Sequence, residues 1–217
     1  MIEAMQHRLV PEPTVRRLSY YVVYLQELYE KGLHTISSTQ IADELSFDPT
    51  QVRKDLQYTG IMGQPKIGFD IAPTIQAIKA CLHWQECEGA FLVGSGNLGK
   101  AIMNYDGIKD LGIRFVAAFD NDPMKIGSFI NGIEILDIER LPVLAKIMKV
   151  KVAVLAAPVE EAQECADFII KSGINAIWNL LPCRIKAPEN IIIEEAHMLQ
   201  SLAVLTSKLA SFKKFLN

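Results

Sequence analysis

Two groups of residues in this 217-residue chain have the types and spacing to do chemistry. The first is Gly94-Ser95-Gly96-Asn97-Leu98-Gly99, followed at a distance by Asp120. Glycines at this spacing suit a phosphate. Gly94 permits a tight turn, Gly96 lets the backbone approach a pyrophosphate, and Gly99 lets a helix pack closely on a strand. The free N–H groups at the start of the following helix, around Asn97 and Leu98, would hold the phosphates. Asp120 ends the next predicted strand, where a carboxylate accepts hydrogen bonds from ribose hydroxyls and repels a 2′-phosphate. That favours NAD(H) over NADP(H). The plainer alternative is that Asp120 caps the turn Asn121-Asp122-Pro123.

A nicotinamide ring would lie over the carboxyl ends of later strands. Those ends carry Ala156-Ala157-Pro158 and Asn179-Leu180-Leu181-Pro182, both apolar. Burying the unpaired charge of oxidised nicotinamide is costly, so such a pocket favours NADH. Ordinary strand-end turns would account for the same residues.

The second group is Gln51, Arg53, Lys54 and Gln57, along one predicted helix. Gln51 and Arg53 near its N-terminus suit base edges, since arginine pairs bidentately with guanine. Lys54, Arg16, Arg17 and Lys66 suit phosphate contacts. Asp55 has the wrong sign for DNA and suits orienting an arginine. The chain carries a net charge of −3, and residues 1–85 hold eight Lys/Arg against nine Asp/Glu. DNA binding must then rest on local clustering. A solvated helix face is the bland alternative.

The elements that must position these groups differ in rhythm along the chain. Apolar positions Leu18, Tyr21, Val22, Leu25 and Leu28 predict a helix capped by Thr14, running to about Lys31 and ended by Gly32. Ser38 is expected to cap a helix over 39–45. Asp48 as N-cap and Pro49 at the first position start a helix to Tyr58. Two short helices with a tight turn make a helix-turn-helix. Residues 60–71 suggest two strands of a wing, and Pro73 opens a last helix to about Leu82.

Beyond a seam near Leu82–Gly89, β-branched runs alternate with helical stretches. Strands are predicted at 90–93, 115–119, 133–135, 152–155, 176–178 and 191–193, with helices between most of them. This implies a parallel sheet covered on both faces. From His197 to about Leu216, the residues Leu199, Leu202, Leu205, Leu209, Phe212 and Leu216 mark an amphipathic helix.

Other chemistry is poorly supported. Cys81, Cys87, Cys165 and Cys183 form no Cys-x-x-Cys pair, and Cys81, His83 and Cys87 fall short of the four ligands a metal needs. No metal site and no catalytic residue is expected. An apolar run long enough for a membrane helix is absent, and no secretory signal is visible, so a cytoplasmic protein is expected. The rivals are an NAD-dependent oxidoreductase with an accessory helical domain and a nucleotide-binding subunit of the CoA-ligase type. The first needs a proton donor, yet His7, His34, His83 and His197 are the only histidines and none ends a strand beside a carboxylate.

Several of these runs together resemble the Rex family of redox-sensing transcriptional repressors. They include Arg17-Leu18 with Tyr20-Tyr21, Ser37-Ser38, Gln51 to Leu56, and glycines 60, 63 and 68. They continue through Gly94 to Gly99, Phe119-Asp120, Asp122-Pro123 with Lys125-Ile126-Gly127, Ala157-Pro158, and Trp178-Asn179-Leu180 with Pro182. The likeness spans roughly residues 14–212, in order. It implies an α/β chain with an N-terminal winged helix (1–84), a Rossmann-like doubly wound parallel sheet binding NADH and NAD+ (85–196), and a C-terminal dimerisation helix (197–217) swapped onto the partner of a homodimer. It implies a palindromic double-stranded operator, bound when NADH is low and released by NADH. It brings Ser38 to the DNA side and Tyr105 to the nicotinamide. The family pattern is broken at Thr59, Pro65, Lys66 and Phe69, and at Val23, His197 and Met198.

Overall fold

Residues 10–196 and 198–215 are described by a computed structural model. The chain divides into two compact units, 1–86 and 87–217. In the first, helix α1 (Glu12–Glu30) starts two residues before the expected cap, with Pro11 in the capping position. Thr14 is therefore not the cap. It is buried inside the helix, and its hydroxyl donates to Asp55 Oδ1 at 3.1 Å. Gly32, at φ +85°, ends the helix. A short strand β1 (Thr35–Ile36) leads into α2 (Ser38–Leu45). The cap of α2 is Ser37, not Ser38. Ser37 Oγ accepts from the Gln40 amide at 3.1 Å, while Gln40 Oε1 accepts from the Ser37 amide at 2.9 Å. This reciprocal pair needs a Gln or Glu three residues beyond the cap, and only Ser37 has one.

Helix α3 (Pro49–Tyr58) begins as the sequence predicts, with Asp48 accepting from the amides of Thr50 and Gln51. The wing is smaller than expected. Gln64 and Gly68 form one antiparallel bridge, and strand β2 (Phe69–Asp70) pairs with β1 instead of with the preceding arm. Gly68 makes this possible: at φ +101°, any Cβ there would lie 2.3 Å from the Ile36 carbonyl oxygen. Helix α4 (Ile71–Cys81) follows directly, with Pro73 inside its first turn.

The apolar stripe of α1 (Leu18, Tyr21, Val22, Leu25) packs with Ile41, Val52, Leu56, Ile71, Ile75 and Ile78 into one core. Through this core runs a polar strut. The Asp55 carboxylate is fully buried and accepts five hydrogen bonds: from Thr14, from Arg17 Nε (2.6 Å) and Nη2 (2.8 Å), from the Tyr21 hydroxyl (2.8 Å), and from Gln51 Nε2 (2.9 Å). Burial pushes this carboxyl up, but the bonds from Arg17, Tyr21, Gln51 and Thr14 outweigh it and hold it below its ordinary value. Asp55 thereby orients Arg17, as its charge suggests, and ties α1 to α3.

The second unit is a seven-stranded sheet in the order β5-β6-β4-β3-β7-β8-β9. Its strands are β3 (Glu88–Val93), β4 (Ile113–Asp120), β5 (Phe129–Ile130), β6 (Ile133–Asp137), β7 (Val152–Leu155), β8 (Ala176–Asn179) and β9 (Ile192–Glu195). All pairs are parallel except β5 with β6, an edge hairpin the sequence reading misses. Without β5, the six parallel strands run 3-2-1-4-5-6 in chain order, the arrangement of dinucleotide-binding folds. Helices α5 (Asn97–Met103), α6 (Leu141–Met148) and α7 (Ala162–Lys171) join them. Alternate residues divide between two faces: Phe91, Val93 and Phe119 pack with Leu141, Ala145, Ala166 and Ile169, whereas Leu92, Ala118 and Val154 pack with Met103 and Leu98.

Helix α8 (Met198–Phe215) closes the chain, while His197 and Leu216 lie outside the described residues. Its apolar stripe Leu199, Leu202, Leu205, Leu209 and Phe212 is exposed. Among the described residues no helix is long and apolar enough to cross a membrane.

The strut makes a testable prediction. Asp55→Asn leaves Arg17 without its counter-charge inside a packed core, and should cost about 3 kcal/mol in urea unfolding. Tyr21→Phe removes one bond to a charged acceptor and should cost about 1.5 kcal/mol. Because the folded Asp55 carboxyl titrates below the unfolded one, its contribution is complete above about pH 4 and lost as pH falls through the folded value. Unfolding measured down the acid limb should lose part of that slope in Asp55→Asn.

Candidate functional site

At the switch point of the sheet, the loops after β3 and β7 diverge and leave a crevice. Three glycines shape it for three different reasons. Gly94 has φ +93°, and a Cβ there would stand 2.6 Å from the Ala156 carbonyl and the Ala157 nitrogen. A Cβ at Gly99 would stand 2.2 Å from the Gly94 oxygen, so helix and turn could not close. Gly96 is unlike either. Its φ of −67° suits any residue, and an added Cβ would meet nothing within 4 Å. Folding does not demand glycine at 96. A ligand pressed against that backbone would. Gly96 also caps α5 without a side chain, so the first amides of the helix keep their donors for an anion.

The cleft, about 270 Å³, is lined by Gly94, Gly96, Asn97, Leu98, Asp120, Ala157 and Pro158 of the expected set. Asn121, Lys125, Ile138, Glu161 and Cys165 also line it and were not foreseen. Asp120 is 5 % exposed. Its Oδ2 accepts from the Ser95 amide (2.8 Å) and hydroxyl (2.6 Å), and its Oδ1 from the Asp122 amide (3.0 Å). Lys125 Nζ lies 3.1 and 3.3 Å from the two oxygens. Burial pushes the Asp120 carboxyl up, but the Ser95, Asp122 and Lys125 bonds prevail and hold it below its ordinary value. Asp120 therefore bonds the turn after β4 and also faces the cleft. Burial, then Glu161, Glu164 and Asp120, push the Cys165 thiol up, so it stands in the wall as a neutral group.

The remaining expected residues fall elsewhere. Ser95 is wholly buried behind the loop and reaches the site only through Asp120. Asn179 is also buried, with Nδ2 donating to the Cys183 carbonyl (2.7 Å) and Oδ1 accepting from the Leu181 amide (3.0 Å), which fixes the turn after β8. Leu180 lines a neighbouring hollow of about 370 Å³ with Leu98, Leu181, Arg184 and Leu199. Tyr105 is exposed, its ring against Gly107, outside the lining of either hollow.

In the first unit, Ser38, Arg53, Gln57 and Lys66 line one concavity between α3 and the wing, with Lys66 at its tip at φ +67°. Arg53 is held by hydroxyls, Nη1 to Ser38 Oγ (3.1 Å) and Nη2 to Thr50 Oγ1 (3.2 Å). These hydroxyls orient the guanidinium, and the Asp48 carboxylate is near enough to feel its charge. Arg17 and Gln51 are engaged differently, both bonded to Asp55. Arg16 pairs with Glu12 on the surface (2.8 Å), and Lys54 is exposed on α3.

Comparison with known proteins bears on both units. Residues 9–57 match the family described as "Putative DNA-binding protein N-terminus", and residues 87–183 the family described as "CoA binding domain". The chain is 38% identical over 200 residues to a redox-sensing transcriptional repressor Rex of Bacteroides thetaiotaomicron, covering 92% of this chain and 91% of that protein. It is 39% identical over 193 residues to the Rex of Treponema denticola, covering 89% and 92%. The Rex-family repressor RSP, solved with beta-NAD+ and operator DNA, superposes with a TM-score of 0.86 at 30% identity, over 95% of each chain. RSP with beta-NADH superposes at 0.85 and 29% identity, over 95% of this chain and 97% of that one. Sequence likeness over nearly the full length and a shared two-unit fold agree: this chain belongs to the Rex family of redox-sensing transcriptional repressors.

Proposed function

We propose that this chain is a DNA-binding transcriptional repressor that senses the NADH/NAD+ ratio, gripping operator DNA when NADH is low and leaving it when NADH binds. The observation that carries the reading is Gly96, a glycine the fold does not need, at the one place where a diphosphate must touch backbone. Gly94 to Leu98 would cradle the phosphates and Asp120 the adenosine ribose. Ala157 and Pro158 lie toward the nicotinamide, whose neutral reduced form suits their apolar surface. Arg53, Gln57 and Ser38 face the operator, with Lys66, Lys54 and Arg16 on its phosphates. Arg17 and Gln51 act indirectly, by fixing α3 on α1 through Asp55.

The chain acts without catalysis and in the cytoplasm on this reading. Among the described residues, no histidine lines the cleft to supply a proton donor. The exposed stripe of α8 would be covered by a second copy of the chain, giving the two-fold symmetry that an operator palindrome requires.

The decisive measurement titrates the operator-bound protein with NADH and NAD+ in parallel, with CoA as a control. NADH should release DNA at concentrations at least tenfold below those of NAD+, and CoA should have no effect. Equal potency of the two coenzymes, or release by CoA, would sink the reading.

Two substitutions separate the halves. Gly96→Asp adds negative charge in open space, so it should abolish the NADH response while leaving operator affinity and thermal stability near wild type. Arg53→Ala should weaken operator binding by about 1–3 kcal/mol and leave NADH affinity unchanged. Leu205→Glu, on the exposed stripe of α8, should convert a dimer in analytical ultracentrifugation to monomer without unfolding it.

A further inference from the structure

We propose that the outward face of α6 and α7 is a self-association surface of this chain, separate from the stripe on α8. Two copies meet there about a two-fold axis, the basic end of each α6 lying on the acidic end of the other copy's α7. Through this face, dimers joined by α8 pair into tetramers. That last step rests on the α8 reading above; the surface itself does not.

Both helices cover one side of the sheet. Leu141 and Ala145 of α6 enter the same core as Ala166 and Ile169 of α7, so the opposite sides of both helices point away from it. Helix α6 leads from β6 to β7 and α7 from β7 to β8, between parallel strands, so the two helices run in one direction. On the outward side of α6, Val143 and Ile147 are 60% and 70% exposed. They stand one helical turn apart and so form a single patch. β-Branched residues are modest helix formers, and an outward position gives them no core to fill. A second protein surface would give them one.

Charge divides along the same face. Lys146 and Lys149 stand at the C-terminal end of α6, Glu160 and Glu164 at the N-terminal end of α7, and all four are exposed. Each sign suits the dipole of its own helix. The dipole does not explain why a lysine closes α6. Lys149 has φ +54°, with its amide donating to the Ala145 carbonyl, in a position that favours glycine. Lysine there bears a backbone cost and keeps a cation at that end. Because the helices run the same way, the basic and acidic ends lie at opposite ends of the face. A two-fold axis within the face and oblique to the helices lays each basic end on the other copy's acidic end. The ionic contact is made twice and the pairing closes on itself, so it stops at two partners. Burial of Val143 and Ile147 then adds to ion pairs that are worth little on their own.

Sedimentation velocity on the full-length protein tests this. Wild type should pass from dimer to tetramer as its concentration rises in low salt, and salt should reverse the step. Lys146→Glu with Lys149→Glu makes both ends acidic; Glu160→Lys with Glu164→Lys makes both basic. Either pair of changes should weaken tetramer formation at least about tenfold. Ile147→Gln should weaken it at low and high salt alike. Mixing the two charge-reversed proteins should restore the tetramer, since each supplies the sign the other lacks. Wild type that stays dimeric at every concentration in low salt, or reversed proteins that fail to pair on mixing, overturns the proposal. If α8 does not join the chain, the same charge response should appear between monomer and dimer, which would end the α8 reading and uphold this surface.

Discussion

No side chain fits at Gly94 or Gly99, and the architecture of the second unit follows from that exclusion. The turn after β3 passes so near the end of β7 that a single carbon at 94 would overlap the Ala156–Ala157 peptide. Helix α5 sits so near that turn that a carbon at 99 would overlap the Gly94 carbonyl. Close packing of strand, turn and helix brings the amide end of α5 to the switch point between β3 and β7, where the neighbouring crossovers separate and leave a crevice. Gly96, free of any steric demand from the protein, marks where that packing ends and the open cleft begins.

Two buried carboxylates illustrate how one physical rule serves two purposes. Asp55 and Asp120 both lie in surroundings that disfavour a charge, and in both the hydrogen bonds outweigh burial. Asp55 is saturated by donors from its own unit, including the bidentate Arg17. It has nothing left to offer and acts as a strut between α1 and α3. Asp120 has donors on both oxygens, but one of them, the Lys125 ammonium, is 37% exposed and lines the cleft. The two carboxylates differ in whether every donor comes from the packed core or one of them stands at a cleft, where a ligand could compete with it.

Much of this was legible in the residues, and the gaps have physical causes. The cap Asp48 with Pro49, the run Ala90–Val93 into the glycine loop, and the place of Asp120 depend on interactions a few residues long, which sequence displays directly. Thr14 misled because a hydroxyl at a helix start looks like a cap, whereas a buried carboxylate 41 residues away claims it. Ser37 and Ser38 are adjacent hydroxyls, and only Gln40, three beyond Ser37, decides between them. The strands β1, β2 and β5 are two residues each, too short for any periodicity to register, and β1 pairs with β2 across 33 residues. Arg17 and Arg53 look alike on a helix face. Only the structure separates an arginine neutralised by Asp55 from one oriented by hydroxyls. Lys125 was visible in the turn, but its bearing on Asp120 depends on how that turn folds back.

The energetics limit what such a molecule can do. A ligand shifts a two-state equilibrium only by the difference in its affinity for the two states; a swing from 1:99 to 99:1 takes about 5.5 kcal/mol. Phosphate and ribose contacts are common to NADH and NAD+, so a cradle of Gly94 to Leu98 with Asp120 would hold the two forms alike and could not discriminate between them. Such contacts would supply occupancy. Discrimination must come from the part of the coenzyme that changes on reduction, the nicotinamide ring, and therefore from the apolar residues near the strand ends and not from the charged ones. A strong phosphate cradle joined to a weakly polar ring site is the arrangement a ratio sensor needs: both forms compete for the same site, and only the charge on the ring decides which state of the protein each one favours.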